Sequence, residues 1–121
     1  MKIKGIHFIE GIKKAKGVVG EGDVIEHLRG FVFNPRDNGI VDIAGSDGRM
    51  TLLAQVPYEE SDSSDGSVLS LSSDKLQQLI KYIKNDSEVE IEYEEGKDRV
   101  LLHVDNYKLN TYKKEFENEF I

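Results

Sequence analysis

The chain has 121 residues and a formal net charge of −7, which suits one domain able to bury a core without staples. It contains no cysteine, so disulfide frameworks, thiolate metal sites and cysteine nucleophiles are excluded. No apolar run has the length of a membrane span or of a signal peptide, and a cytoplasmic location without a membrane partner is expected by elimination.

In chain order, a short strand is expected at residues 2–6 and a helix at residues 7–16, with Phe8, Ile12 and Ala15 on one face and Gly17 just past its end. Gly11 opposes that helix by about 1 kcal/mol relative to Ala. A loop at residues 17–23 leads to a strand at residues 28–34. Arg36-Asp37-Asn38-Gly39 then reads as a tight hairpin turn into a strand at residues 40–44. Asp47-Gly48 turns the chain again into a strand at residues 50–56. Residues 59–66, rich in Ser, Asp and Gly, read as a solvated, flexible loop that splits the chain into comparable halves.

The second half repeats the order. A strand is expected at residues 68–71, and Ser72 or Ser73 caps a helix with Asp74 in its first turn. Leu76, Leu79, Ile80 and Ile83 form one apolar stripe at helical spacing, and Asn85-Asp86 marks the stop. Val89, Ile91 and Tyr93 alternate with Glu88, Glu90, Glu92 and Glu94, a half-buried strand with its acids outward. Strands at residues 99–104 and 107–112 complete a meander. The expected class is α+β: two strand-helix-three-strand halves, with two helices packed on one face of an antiparallel sheet.

Chemistry-bearing constellations are absent from this pattern. His7, His27 and His103 lack metal-ligand spacing and read as ordinary structural or surface histidines. The alternating glutamates form a solvated face rather than an acid–base pair. Gly17-Val18-Val19-Gly20-Glu21-Gly22 follows a helix rather than a strand and carries an acid where a phosphate would sit. No catalytic residue, metal or cofactor is expected.

The lysines carry more information. The second helix holds Lys75, Lys81 and Lys84; Lys81 lies opposite the apolar stripe and the other two flank it. The first holds Lys13, Lys14 and Lys16, the first two opposing its apolar face. Outer-face lysines also serve solubility alone. Their coincidence on both short helices of an acidic chain, with the acid on the strands, points to one positive and one negative face.

Several segments together resemble one domain of a DNA polymerase sliding clamp, most closely the bacterial β-clamp type. Leu28-Arg29-Gly30-Phe31-Val32-Phe33 is similar to the first long strand after the clamp helix. Residues 43–50, Ile-Ala-Gly-Ser-Asp-Gly-Arg-Met, resemble the strand–TDGxR–strand signature of the middle domain. Ser46 stands in place of the usual Thr, and the residue between Gly and Arg is missing. Residues 69–76 look like the step from strand into the second helix, and residues 89–109 like the closing meander.

The resemblance implies a ring of about six such domains around duplex DNA, with helices lining the hole and sheets continuing across domain boundaries. Lys13, Lys14, Lys16, Lys75, Lys81 and Lys84 would then face DNA and contact phosphates without sequence preference. Asp47, Gly48 and Arg49, with Met50 as apolar lining, would contribute to a cleft for peptides of polymerase and clamp-loader proteins. Family members carry two or three such domains per chain, so a single-domain chain is expected to be either a short protein that self-associates as a homo-oligomeric ring of six or a fragment of a longer clamp. The rival expectation is a solitary interaction module that binds replication proteins, or a host clamp, without encircling DNA. The tail at residues 113–121 is compatible with pairing to a neighbour, with a linker and with fraying.

Overall fold

The computed structural model describes residues 1–16, 30–46, 51–62 and 64–113. β1 (Lys2–Lys4) runs straight into α1 (Gly5–Lys16), and β2 (Gly30–Pro35), β3 (Ile40–Ser46) and β4 (Thr51–Pro57) follow as a meander. β5 (Leu69–Ser72) runs straight into α2 (Ser73–Ile80), and β6 (Glu88–Glu92), β7 (Arg99–Val104) and β8 (Tyr107–Tyr112) form a second meander. The repeated element order is the one expected, with strand boundaries shifted by a residue or two. The loop expected at residues 17–23, Leu28 and Arg29 at the start of the next strand, and the Asp47-Gly48 turn lie outside the described residues.

The strands divide between two four-stranded antiparallel sheets, β1-β6-β7-β8 and β4-β3-β2-β5. The α+β class stands, while the single sheet of the sequence reading resolves into two. Each half's first strand leaves its own meander: Ile3 pairs opposite Val89, and Leu71 opposite Phe31. No residue separates β1 from α1, so the helix runs onward instead of folding back over its strand. It lands on β3 and β4 and leaves β1 to the other meander.

One core joins both sheets and both helices. Phe8, Ile12 and Ala15 are fully buried, and Phe8 stacks on Phe33 with ring centroids 6.0 Å apart. Leu69, Leu71, Leu76, Val89, Ile91, Val100, Leu102 and Val104 complete it from the second half. Each large side chain buried here contributes about 1.5–3 kcal/mol. Gly11, unfavourable for the helix alone, is explained by packing: a Cβ there would stand 2.7 Å from the Ile43 Cδ1 and 3.3 Å from the Val56 Cγ1. The missing side chain lets α1 approach its sheet.

Both helices depart from the sequence reading at their ends. α1 begins at Gly5, two residues early, where the Gly5 N–H donates to the Ser87 carbonyl at 2.7 Å. α2 stops at Ile80, with Lys81 as its C-cap, so Ile83 reaches the core from beyond the helix. Ser72 occupies the N-cap position of α2 but makes no side-chain capping bond.

The segment after β4 is largely exposed, as expected of a solvated loop, yet it is pinned. Lys2 and Glu59 exchange backbone hydrogen bonds of 2.9 and 2.8 Å. The Met1 ammonium donates to the Ser61 and Ser64 hydroxyls and to the Ile91 carbonyl. Asp65 accepts from the Ser67 N–H and hydroxyl and from the Glu95 N–H, and the Tyr93 hydroxyl donates to the Ser67 carbonyl at 2.7 Å. Among the described residues, no helix is long and apolar enough to cross a membrane.

Candidate nucleic-acid interface

Lys13 and Lys14 are exposed on α1, on the side away from the buried Phe8, Ile12 and Ala15. Lys75 is exposed on α2; Lys81 and Lys84, also exposed, lie on its C-cap and exit loop rather than within the helix as expected. The side chain of Lys16 lies outside the described residues. The start of α1 packs against the segment that follows α2, with Gly5 beneath the Lys84 carbonyl. This contact puts Lys84 beside the beginning of the helix that carries Lys13 and Lys14. None of Lys13, Lys14, Lys75, Lys81 and Lys84 forms an ion pair with another described residue. Glu10 is the exposed acid on α1 among them. These charges are held in water.

The opposite face is less acidic than expected. The glutamates of β6 point outward, but their cross-strand neighbours are basic. Lys4 stands opposite Glu88, Lys2 opposite Glu90, and Glu90 opposite His103. Lys2 lies 3.5 Å from Glu88, and the His103 Nε2 lies 3.5 Å from Glu92. Arg99 and Lys108 share this face by alternation. The outer sheet is therefore of mixed charge, because β6's acids are matched by bases on the neighbouring strands β1 and β7 rather than left as an acidic strip. Exposed acid concentrates instead at Glu59, Glu60, Asp62 and Asp65 and around Glu94 and Glu95.

The second predicted site, Asp47, Gly48, Arg49 and Met50, lies outside the described residues. Among the described residues no cluster of three His, Asp or Glu side chains is placed to hold a metal ion. His7 is half-buried, and His103 is held beside Glu92. His27 lies outside the described residues.

Sequence reasoning missed an aromatic pair. Tyr82, after α2, and Tyr107, on β8, are 54% and 57% exposed with ring centroids 5.3 Å apart. They line a groove of about 350 Å³ between α2 and β8 together with Leu79, Lys81, Lys108 and Leu109. Residues 25 apart carry no local signal of such a contact; the pairing of β8 with β7 produces it.

Residues 1–118 match the family model of the DNA polymerase III beta subunit, N-terminal domain. The matched domain is the N-terminal one, where residues 43–50 had suggested the middle one. Among solved structures, the chain is similar to a sliding clamp (DNA polymerase III subunit beta) from Pseudomonas aeruginosa bound to griselimycin. That likeness has a TM-score of 0.77 at 17% identity, over 93% of this chain and 29% of that one. A putative DNA polymerase III beta subunit from Eubacterium rectale matches with a TM-score of 0.79 at 15% identity, over 99% of this chain and 32% of that one. A griselimycin-bound sliding clamp from Bartonella birtlesii matches with a TM-score of 0.81 at 10% identity, over 100% and 32%. At such identities these likenesses speak for the fold, and the chain spans about a third of the length of those clamps. No curated protein sequence matches it. With the family model matched over nearly its whole length, the chain belongs to the DNA polymerase III beta subunit family, the bacterial sliding clamps.

Proposed function

We propose that the chain is part of a DNA clamp, in which about six such domains close a ring around duplex DNA and tether replication proteins to it. The observation that carries the reading is the set of exposed lysines on α1, α2 and the α2 exit, unpaired among the described residues, in a domain of this family. Such lysines meet phosphates through water and through brief direct contacts. They read no base edges, so every register along the duplex is nearly equal in energy and the ring slides. Family membership supports a non-enzymatic role. The partner-peptide role of Asp47, Gly48, Arg49 and Met50 belongs to the same proposal, with polymerase and clamp-loader peptides as the ligands.

The test is retention on closed circular DNA. Reversing Lys13, Lys14 and Lys81 to Glu together abolishes retention while the thermal unfolding midpoint stays within a few degrees of the parent. Retention that survives the triple change removes the lysines from the mechanism. A chain that stays monomeric at every concentration, yet binds a polymerase or clamp peptide, supports the solitary-module reading instead.

A further inference from the structure

The α-amino group of Met1 is a structural ligand of the fold. Met1 is fully buried and its side chain belongs to the common core. Its carbonyl accepts from the Ile91 N–H at 2.8 Å. Three acceptors converge on its nitrogen: the Ser61 hydroxyl at 2.9 Å, the Ser64 hydroxyl at 3.0 Å and the Ile91 carbonyl at 3.2 Å. An ammonium carries three N–H donors, so donors and acceptors match in number.

The acceptors come from distant parts of the chain. Ser61 and Ser64 lie between β4 and β5, 60 and 63 residues from Met1, and Ile91 lies on β6, 90 residues away. The Ser64 N–H donates to the Ser61 carbonyl at 3.4 Å, a turn that brings both hydroxyls to the same nitrogen. Along the chain, Ser61 falls between two isolated bridges, Lys2 with Glu59 and Ser64 with Tyr93. The amine therefore ties β1, the segment after β4 and β6 at one point. The serines that read as loop composition act here as short, neutral acceptors.

The chemistry of the cradle is particular to an amine. Burial lowers the pKa of the Met1 ammonium from its ordinary 8.0, against the pull of Glu90, and Lys2 adds to the lowering. An acyl group on this nitrogen leaves one N–H, removes the charge and brings in a carbonyl oxygen, an acceptor facing acceptors. A residue joined ahead of Met1 does the same through its peptide bond.

We propose that Ser61, Ser64 and the Ile91 carbonyl form a cradle selective for an unacylated α-ammonium on Met1, so that a formyl or acetyl group there, or a residue joined to it, uncouples β1 and the serine-bearing segment from β6. The site makes the acylation state of Met1 a determinant of how firmly the β1-β6-β7-β8 sheet is closed. It rests on no part of the clamp reading.

The test compares the full chain in two forms, with the Met1 amine unmodified and with it formylated, each confirmed by intact mass. Both forms are also made with Ser61→Ala and Ser64→Ala together. Amide hydrogen exchange is read at Lys2, Glu59 and Ile91, whose N–H groups bond across the cradle, and at Arg36, which bonds to Ile40 in the other sheet. Formylation lowers protection at the first three by at least about tenfold and leaves Arg36 unchanged. With both serines replaced, the effect of formylation shrinks to about threefold or less, because the acceptors it disturbs are already gone. Equal protection in the formylated and unmodified parent overturns the cradle. So does a formyl effect of the same size with and without the serines. Should the formylated chain not fold at all, Ser61→Ala with the amine unmodified decides. A loss of about fivefold at the same three amides upholds the cradle, and parent-like protection overturns it.

Discussion

Gly5 has no room for a side chain. A Cβ built there would stand 2.1 Å from the Lys84 backbone carbonyl, and a backbone neighbour has no flexible tip to swing aside. Gly5→Ala should therefore destabilise the domain by about 3 kcal/mol, against a gain in helix propensity of about 1 kcal/mol. Chemical denaturation of the two proteins checks the sum. Asp65 works through charge rather than shape. The Glu95 N–H, followed by the Ser67 hydroxyl and N–H, holds its carboxyl down at about 2. A depressed carboxylate stabilises the fold above its unfolded value of 3.8, and that contribution is lost as pH falls toward about 2. Asp65→Asn should lower the urea midpoint at pH 7 and flatten the fall in stability between pH 4 and 2. An acid limb as steep as the parent's would refute that role.

At the scale of elements, the hydrogen bond from Tyr93 to Ser67 ties the end of β6 to the segment that leads into β5. Burial first, and then the charge of Asp65, push the Tyr93 phenol up to about 12. A raised phenol favours the fold below its unfolded value near 10, and the benefit is lost as pH rises through about 12. Tyr93→Phe strands the Ser67 carbonyl and should cost about 1 kcal/mol at pH 7. It should also soften alkaline unfolding between pH 10 and 12, followed by circular dichroism. Most elements were legible in the sequence because their periodicity is local: Phe8, Ile12 and Ala15 mark one helix face, and Val89, Ile91 and Tyr93 one strand face. What was hidden is non-local. Nothing near Lys2 announces that it lies opposite Glu90, so neither the split into two sheets nor the neutralised outer face could be read from spacing. The exposed lysines were legible as a set, whereas the Tyr82–Tyr107 pair needed the fold.

For the whole molecule, the lysine reading carries a salt signature. Each phosphate neutralised on duplex DNA contributes a slope of about 0.9 in log K against log salt. Removing three lysines should flatten that slope by about 3, measured on short linear duplexes where the ring's topology plays no part. The exchange of first strands between the halves has a different consequence, for the order in which the protein is built. β5 completes the sheet begun by β2, and β1 waits for β6. A nascent chain emerging from the ribosome can assemble the β2–β4 meander early, but β1 stays without its partner until the last third of the chain is synthesised. Neither half completes a sheet by itself, so the last pairing to form closes a loop between Lys2 and Glu90, 90 − 2 = 88 residues apart.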